Sequence, residues 1–232
     1  MSRIIIFGNQ KGGVGKSTIT CLSANALANA PFNLKVCVID NDKQSSISEA
    51  RSFDAENYGD KPAPYDVLKM DIAELQKKIQ HLDEKYDLIL IDTAGRLDAE
   101  APIENQEITK ALMYADYLFL PFKAGNFNLD ATLQYLKFIL QLQTQRSSSS
   151  RSLKTFGFVN MYRTRSKSNE FLVGEIKHLK EGGVNFMVNR LGHYAAFEEI
   201  DTFTSLYDED TNNPARLNFT VWLNELVKLI AK

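Results

Sequence analysis

Cysteine and histidine are scarce in this 232-residue chain: Cys21 and Cys37 are the only cysteines, and His81, His178 and His193 the only histidines. Both cysteines fall in apolar stretches, where they read as small buried residues, so neither a disulfide framework nor a thiolate metal site is expected. The histidines are too far apart for metal-ligand spacing, and structural or exposed roles are expected for them. No apolar run is long enough to cross a bilayer. The chain enters a strand-like run at Arg3 without a signal-peptide pattern, so a cytoplasmic protein is expected. No repeat and no linker divide it, which leaves one domain over residues 1–232. Low complexity is confined to the serines at 147–150, read with Arg146 and Arg151 as a flexible surface loop. A net charge of −2 argues against a generally basic nucleic-acid protein.

What is present begins with Asn9-Gln10-Lys11-Gly12-Gly13-Val14-Gly15-Lys16-Ser17-Thr18. Gly15-Lys16-Ser17 is the phosphate-gripping end of a P-loop. Backbone N–H groups of such a loop face an anion, the lysine adds a point charge, and the serine hydroxyl is a Mg²⁺ ligand. The ordinary pattern has glycine five residues before Gly15, where this chain has Gln10, and it has no counterpart to the early Lys11. The loop lies between an apolar strand-like run, Arg3-Ile4-Ile5-Ile6-Phe7, and a helical stretch over 17–30 that stops at Pro31. Strand, glycine loop and helix are the context a phosphate site requires.

Apolar runs recur and predict strands near 3–7, 35–39, 87–91, 116–120, 154–159 and 184–188, with amphipathic helices over 71–82 and 129–142. The alternation implies an α/β fold, a doubly wound, mostly parallel sheet with helices on both faces. Asp40 and Asp42 close the second run and Asp92 closes the third, which places carboxylates on the ligand-binding edge of such a sheet. Asp92 is the Walker B candidate, and Thr93 to Arg96 a segment that senses a terminal phosphate.

The early lysine in Lys11-Gly12-Gly13-Val14-Gly15-Lys16-Ser17-Thr18, the Asp40-x-Asp42 pair followed by Gln44, and Asp92-Thr93 together resemble the ParA/MinD family of deviant Walker ATPases. The likeness continues through 115–121 and through Gly157-Phe158-Val159-Asn160-Met161-Tyr162, similar to the family's strand and turn that approach the base. Asn-Gln before Lys11 resembles ParA proteins, most like short partition ATPases without an N-terminal helix-turn-helix. Lys43 departs from the proline that often follows the second Asp.

The resemblance implies ATP and Mg²⁺ as ligands and an ATP-sandwich homodimer. Lys11 would then reach the partner's phosphates, while Gly12, Gly13, Val14, Gly15, Lys16, Ser17 and Thr18 hold the nucleotide in cis. Ser17, Asp40 and Asp92 would surround the metal, and Asp42 would orient water, the two paired Asp residues being interchangeable at this level. Signal-recognition-type GTPases share Asp92-Thr93-Ala94-Gly95-Arg96, but the late Lys-x-Asp motif that selects guanine is missing after Asn160. Asn160 suits adenine by its paired donor and acceptor, or else caps a turn.

Basic residues gather between Arg146 and Arg190, and the chain turns acidic from Glu198 onward. Such a patch binds phosphate backbones without sequence preference, or is a solvated helix face. The resemblance raises the first reading and points to nonspecific DNA, with Arg163, Arg165 and Lys167 as contacts. It also implies a ParB-like centromere-binding adaptor, DNA segregation, and a nucleoid-associated cytoplasmic location. The alternative is a MinD-like positioning switch on a membrane or another large assembly. Residues 218–232 form an amphipathic helix with few cations on its polar face, read as docked on the sheet rather than lying on lipid.

Overall fold

The structure is a computed structural model and describes residues 1–42, 44–93, 107–145, 152–199 and 201–231. Its described strands are β1 (Arg3–Phe7), β2 (Val36–Asn41), β3 (Asp66–Lys69), β4 (Leu88–Thr93), β5 (Tyr117–Phe122) and β6 (Lys154–Val159). The helices are α1 (Lys16–Ala28), α2 (Ser46–Tyr58), α3 (Ile72–Lys85), α4 (Glu107–Leu112), α5 (Asn126–Gln145), α6 (Lys167–Glu181), α7 (Ala195–Glu198) and α8 (Pro214–Ile230), with a 3₁₀ turn at Leu206–Asp208.

The strands form one parallel sheet in the order β3-β2-β4-β1-β5-β6. Alternate residues of each strand feed opposite layers. In β1, Ile4 and Ile6 pack with the face covered by α3, α4, α5 and α6. Ile5 and Phe7 pack with the other, covered by α1, α7 and α8 and by Ile47 of α2. The doubly wound architecture expected from the alternating runs is therefore present.

Local chemistry sets the element ends. Asp71 caps α3 by accepting from the Glu74 amide at 2.8 Å. Asn213 caps α8 by accepting from the Ala215 amide at 2.9 Å, with Pro214 in the first turn. Along α8, Ala215, Phe219, Trp222, Leu223, Leu226 and Ile230 are buried at helical spacing, so its apolar face is part of the core as expected.

One expectation is corrected. Residues 184–188 are not a strand; only Phe186 bridges to Gly157. The sixth strand is instead β3, which sits at the sheet edge with no fully buried residue and so lacks an apolar run. Helix α2 also went unrecognised, since only Ile47 and Asp54 of it are buried and no helical periodicity shows.

The topology aims the ligand edge. From β1 the chain runs past β4 to β2, and from β4 it runs past β1 to β5. The two crossovers leave in opposite directions, and the crevice they create lies at the strand C-termini. The loop at 8–15, Asp40, Asp92, Lys123 and Asn160 all follow or end strands on that edge.

Candidate nucleotide-binding site

The loop between β1 and α1 is built around residues that no ordinary side chain could replace. Gly15 has φ +89°, and a Cβ there would lie 2.6 Å from Asn160 Nδ2. This left-handed residue turns the chain into α1, whose first amides face the anion position.

Asn9, buried at the base of the loop, is a residue whose role was not legible beforehand. Its Nδ2 donates to the Pro121 carbonyl at 3.0 Å and to Thr132 Oγ1 at 2.8 Å, while its Oδ1 accepts from the Lys11 amide at 3.0 Å. One carboxamide thus joins β5, α5 and the start of the loop. Gln10 adds a second link, donating to the Ala131 carbonyl at 2.6 Å. Lys11 itself is exposed, on a main chain fixed from behind.

Beneath the loop the charges are close together and poorly solvated. The β2–β4 register sets Asp40 beside Asp92, and both are buried. Ser17 Oγ donates to Asp92 Oδ2 at 2.7 Å, whereas the buried Asp92 Oδ1 has no hydrogen-bond partner among the described residues. Burial raises the Asp92 carboxyl to about 7; Ser17 opposes that rise and the Asp40 carboxylate adds to it. Lys16 is half-buried, and desolvation lowers its pKa against the pull of Asp92 and Asp42. Its Nζ lies 3.5 Å from the Lys11 carbonyl.

Asp40 is already engaged on both oxygens. Oδ2 accepts from the Ser48 amide in the first turn of α2 at 2.8 Å, and Oδ1 from the Asp42 amide at 3.3 Å. Asp42 is half-buried and accepts from the Gln44 amide at 3.0 Å. Lys43 and residues 94–96 of the expected phosphate sensor lie outside the described residues, as do 146–151. Thr93 is described, at the end of β4 and buried.

A hard divalent cation fits these donors. Ser17 and Asp92 offer oxygen ligands, and the unpartnered Asp92 Oδ1 is the kind of buried acceptor a cation satisfies. Among the described residues no cluster of three or more His, Cys, Asp or Glu could hold a metal alone. A small cation here would take its remaining ligands from phosphate and water, as Mg²⁺ does.

A pocket opens beside Gly15 and Thr18, lined also by Ile19, Leu22, Asn160, Met161, Gly192, His193, Tyr194, Phe197 and Glu198. Asn160 is 4% exposed, and its Nδ2 donates to the Val14 carbonyl at 2.7 Å, so it straps the loop as well as lining the pocket. Met161, which follows it, holds φ +53°, an unusual conformation for a side chain of that size. Tyr162 and His193 are tied by exchange between 162 and 191–193: Tyr162 N–H donates to Leu191 at 2.9 Å and His193 N–H to Tyr162 at 3.1 Å. His193 was expected to be structural or exposed; it is exposed, and it stands on this pocket.

Arg163, Arg165 and Lys167 are exposed just beyond the same segment. Arg163 Nη2 lies 2.9 Å from His193 Nε2, and Arg190 stacks over Tyr162 at 4.8 Å. Arg163 therefore stands beside a residue that lines the pocket.

Fold and site define a nucleotide-binding α/β protein of the P-loop type. The model of the CobQ/CobB/MinD/ParA nucleotide binding domain matches residues 5–190, and the chain belongs to that family. It is 23% identical over 270 residues to an uncharacterized protein of Methanocaldococcus jannaschii, covering 97% of this chain and 99% of that one. A putative plasmid partition protein of Borrelia burgdorferi bound to AMPPNP superposes with a TM-score of 0.71 at 20% identity, over 98% of this chain and 99% of that one. Cobyrinic acid a,c-diamide synthase of Mycobacterium smegmatis, bound to ADP and magnesium, gives 0.65 at 16% identity, over 98% and 95%. At these identities the structural likeness is one of fold.

Proposed function

We propose that the chain is a ParA-type ATPase that closes into an ATP-sandwich homodimer, binds nonspecific DNA and drives DNA segregation, with hydrolysis stimulated by a ParB-like centromere-binding partner. The observation that carries this reading is the assembly under the loop. Lys16, Ser17 and Asp92, whose Oδ1 has no hydrogen-bond partner among the described residues, converge there, while Lys11 stands exposed above on an anchored main chain.

Lys16 and the loop amides would hold the β- and γ-phosphates, as a preorganised clamp does. Ser17 and Asp92, with Asp40 beside them, would hold Mg²⁺, which when bound neutralises phosphate charge. Asp40 already fixes the turn to α2, so Asp42, half-buried and nearby, is the better candidate for orienting water. Lys11 would cross to the partner's phosphates. Adenine would enter the pocket between Thr18 and His193, with Asn160 at its base.

The burial of the apolar face of α8 supports DNA over a membrane as the working surface. Among the described residues no helix is long and apolar enough to cross a membrane. The Borrelia relative's description as a partition protein supports segregation as the purpose. Sedimentation with a nonhydrolysable ATP analogue should show dimers for the native chain and monomers for Lys11→Ala, with nucleotide binding kept. Dimers in that variant would falsify the trans role of Lys11. Retention of duplex DNA should depend on ATP, weaken with salt and fall on replacing Arg163, Arg165 and Lys167 together by alanine.

A further inference from the structure

The outer half of the loop lacks packing. Among the described residues, and apart from chain neighbours, no atom lies within 4 Å of where a Cβ would stand at Gly12 or Gly13. Side chains hold it instead. Asn9 Oδ1 takes the Lys11 amide at 3.0 Å, and Asn160 Nδ2 the Val14 carbonyl at 2.7 Å. Between them, Lys16 Nζ reaches the Lys11 carbonyl at 3.5 Å and Lys123 Nζ donates to the Gly13 carbonyl at 3.0 Å.

The two lysines differ in what a phosphate does to them. Lys16 belongs to the P-loop signature, so a bound phosphate draws it from its long contact with Lys11. Lys123 follows β5, outside the signature, and its shorter bond is to the carbonyl of Gly13. Gly13, at φ +70°, has no Cβ to restrict its peptide, so the orientation of that peptide depends on such a contact. Among the described residues no carboxylate forms an ion pair with Lys123. Its charge stands beside a loop already bearing Lys11 and Lys16.

We propose that Lys123 is a third lysine of the phosphate site. It is a positioning residue that holds the Gly13 carbonyl, keeps the loop amides facing the terminal phosphates of a nucleoside polyphosphate, and adds its charge to theirs. The proposal rests on reading the loop as a nucleotide site.

Two measurements test it on the full chain: binding of fluorescent ADP and of a nonhydrolysable ATP analogue, and amide hydrogen exchange of residues 11–15 without nucleotide. Lys123→Ala should weaken both nucleotides about tenfold, on the order of 1.4 kcal/mol, and speed exchange in the empty loop. Lys123→Arg should restore both properties. Lys123→Gln, a neutral donor, should restore slow exchange but only part of the affinity. Native affinity in the alanine variant overturns the proposal, and so does an arginine variant that behaves like alanine. Full affinity in the glutamine variant overturns the charge contribution. If the native chain binds neither nucleotide, the nucleotide reading fails by itself; unchanged exchange in Lys123→Ala then overturns the tether.

Discussion

Asn160 distinguishes two roles that its position alone allows, strapping the loop and reading the base. The side chain is 4% exposed, and its amide donates to the Val14 carbonyl at 2.7 Å. In Asn160→Ala that carbonyl, on a fully buried residue, loses its donor, and a space opens beside Gly15. Leaving a buried acceptor unsatisfied costs about 1–3 kcal/mol. For a chain of this length each kcal/mol moves Tm by about 2–4 °C, so a midpoint about 4–8 °C lower is expected at the middle of that range. The loss needs no nucleotide, because the bond exists in the empty loop. Asn160→Asp should be at least as damaging, since it sets an acceptor against an acceptor. Thermal melts without nucleotide, followed by titration with ATP and GTP analogues, separate the roles. A strap predicts a lower Tm and affinity reduced alike for both bases. A native Tm together with a changed preference between the bases would refute the strap.

Three further outcomes follow from the same geometry. The Asp92 carboxyl, held near pH 7 by burial, binds its proton more tightly folded than unfolded. Its contribution to stability is therefore full at low pH and lost as pH rises through about 7, a change on the order of 4 kcal/mol. In metal-free buffer Asp92→Asn should raise Tm over the native chain more at pH 8 than at pH 5, and an identical pH profile in variant and native chain would contradict the assignment. At Gly15, alanine meets both a left-handed φ, costing about 1–2 kcal/mol, and the Asn160 amide 2.6 Å away. Calorimetry should find nucleotide binding lost in Gly15→Ala, and retained affinity would show that the loop tolerates the displacement. Asp54 Oδ2 accepts from Thr202 N–H at 2.8 Å and from Thr202 Oγ1 at 2.7 Å, while Arg51 donates to the Thr202 carbonyl at 3.0 Å. Asp54→Ala orphans these buried donors and should lower urea-unfolding stability by about 1–3 kcal/mol, whereas exposed Glu56→Ala should change it little.

The Asp54–Arg51–Thr202 contacts also show how α2 is held at two points. Its first turn donates Ser48 N–H to Asp40, and its middle is clamped to residue 202. Movement at the Asp40–Asp42 turn therefore acts on a helix fastened to the segment before α8.

Much of this protein was decided locally and is legible in the chain. Buried parallel strands are continuous apolar runs, so β1, β2, β4, β5 and β6 stand out, and the carboxylates that close β2 and β4 were placed with them. The phosphate loop depends on glycine conformations and on neighbours along the chain, which is why Lys16 and Ser17 could be named without a structure. Family membership followed from the same residues. Edge strand β3 and the surface helix α2 escaped because neither has a buried face of its own to impose a period.

The tertiary structure alone decided what meets across the sheet. Asn9 and Asn160 look alike as polar residues after strands, yet one bonds β5, α5 and the Lys11 amide while the other holds Val14. Lys123 lies 110 residues from Gly13 in sequence and 3.0 Å from it in space. The burial of Asp92, its raised pKa and its juxtaposition with Asp40 arise from register and packing, which depend on every strand together. Sequence spacing encodes the hydrogen bonds and conformations of neighbouring residues; desolvation and long-range contact exist only once the sheet has closed around them.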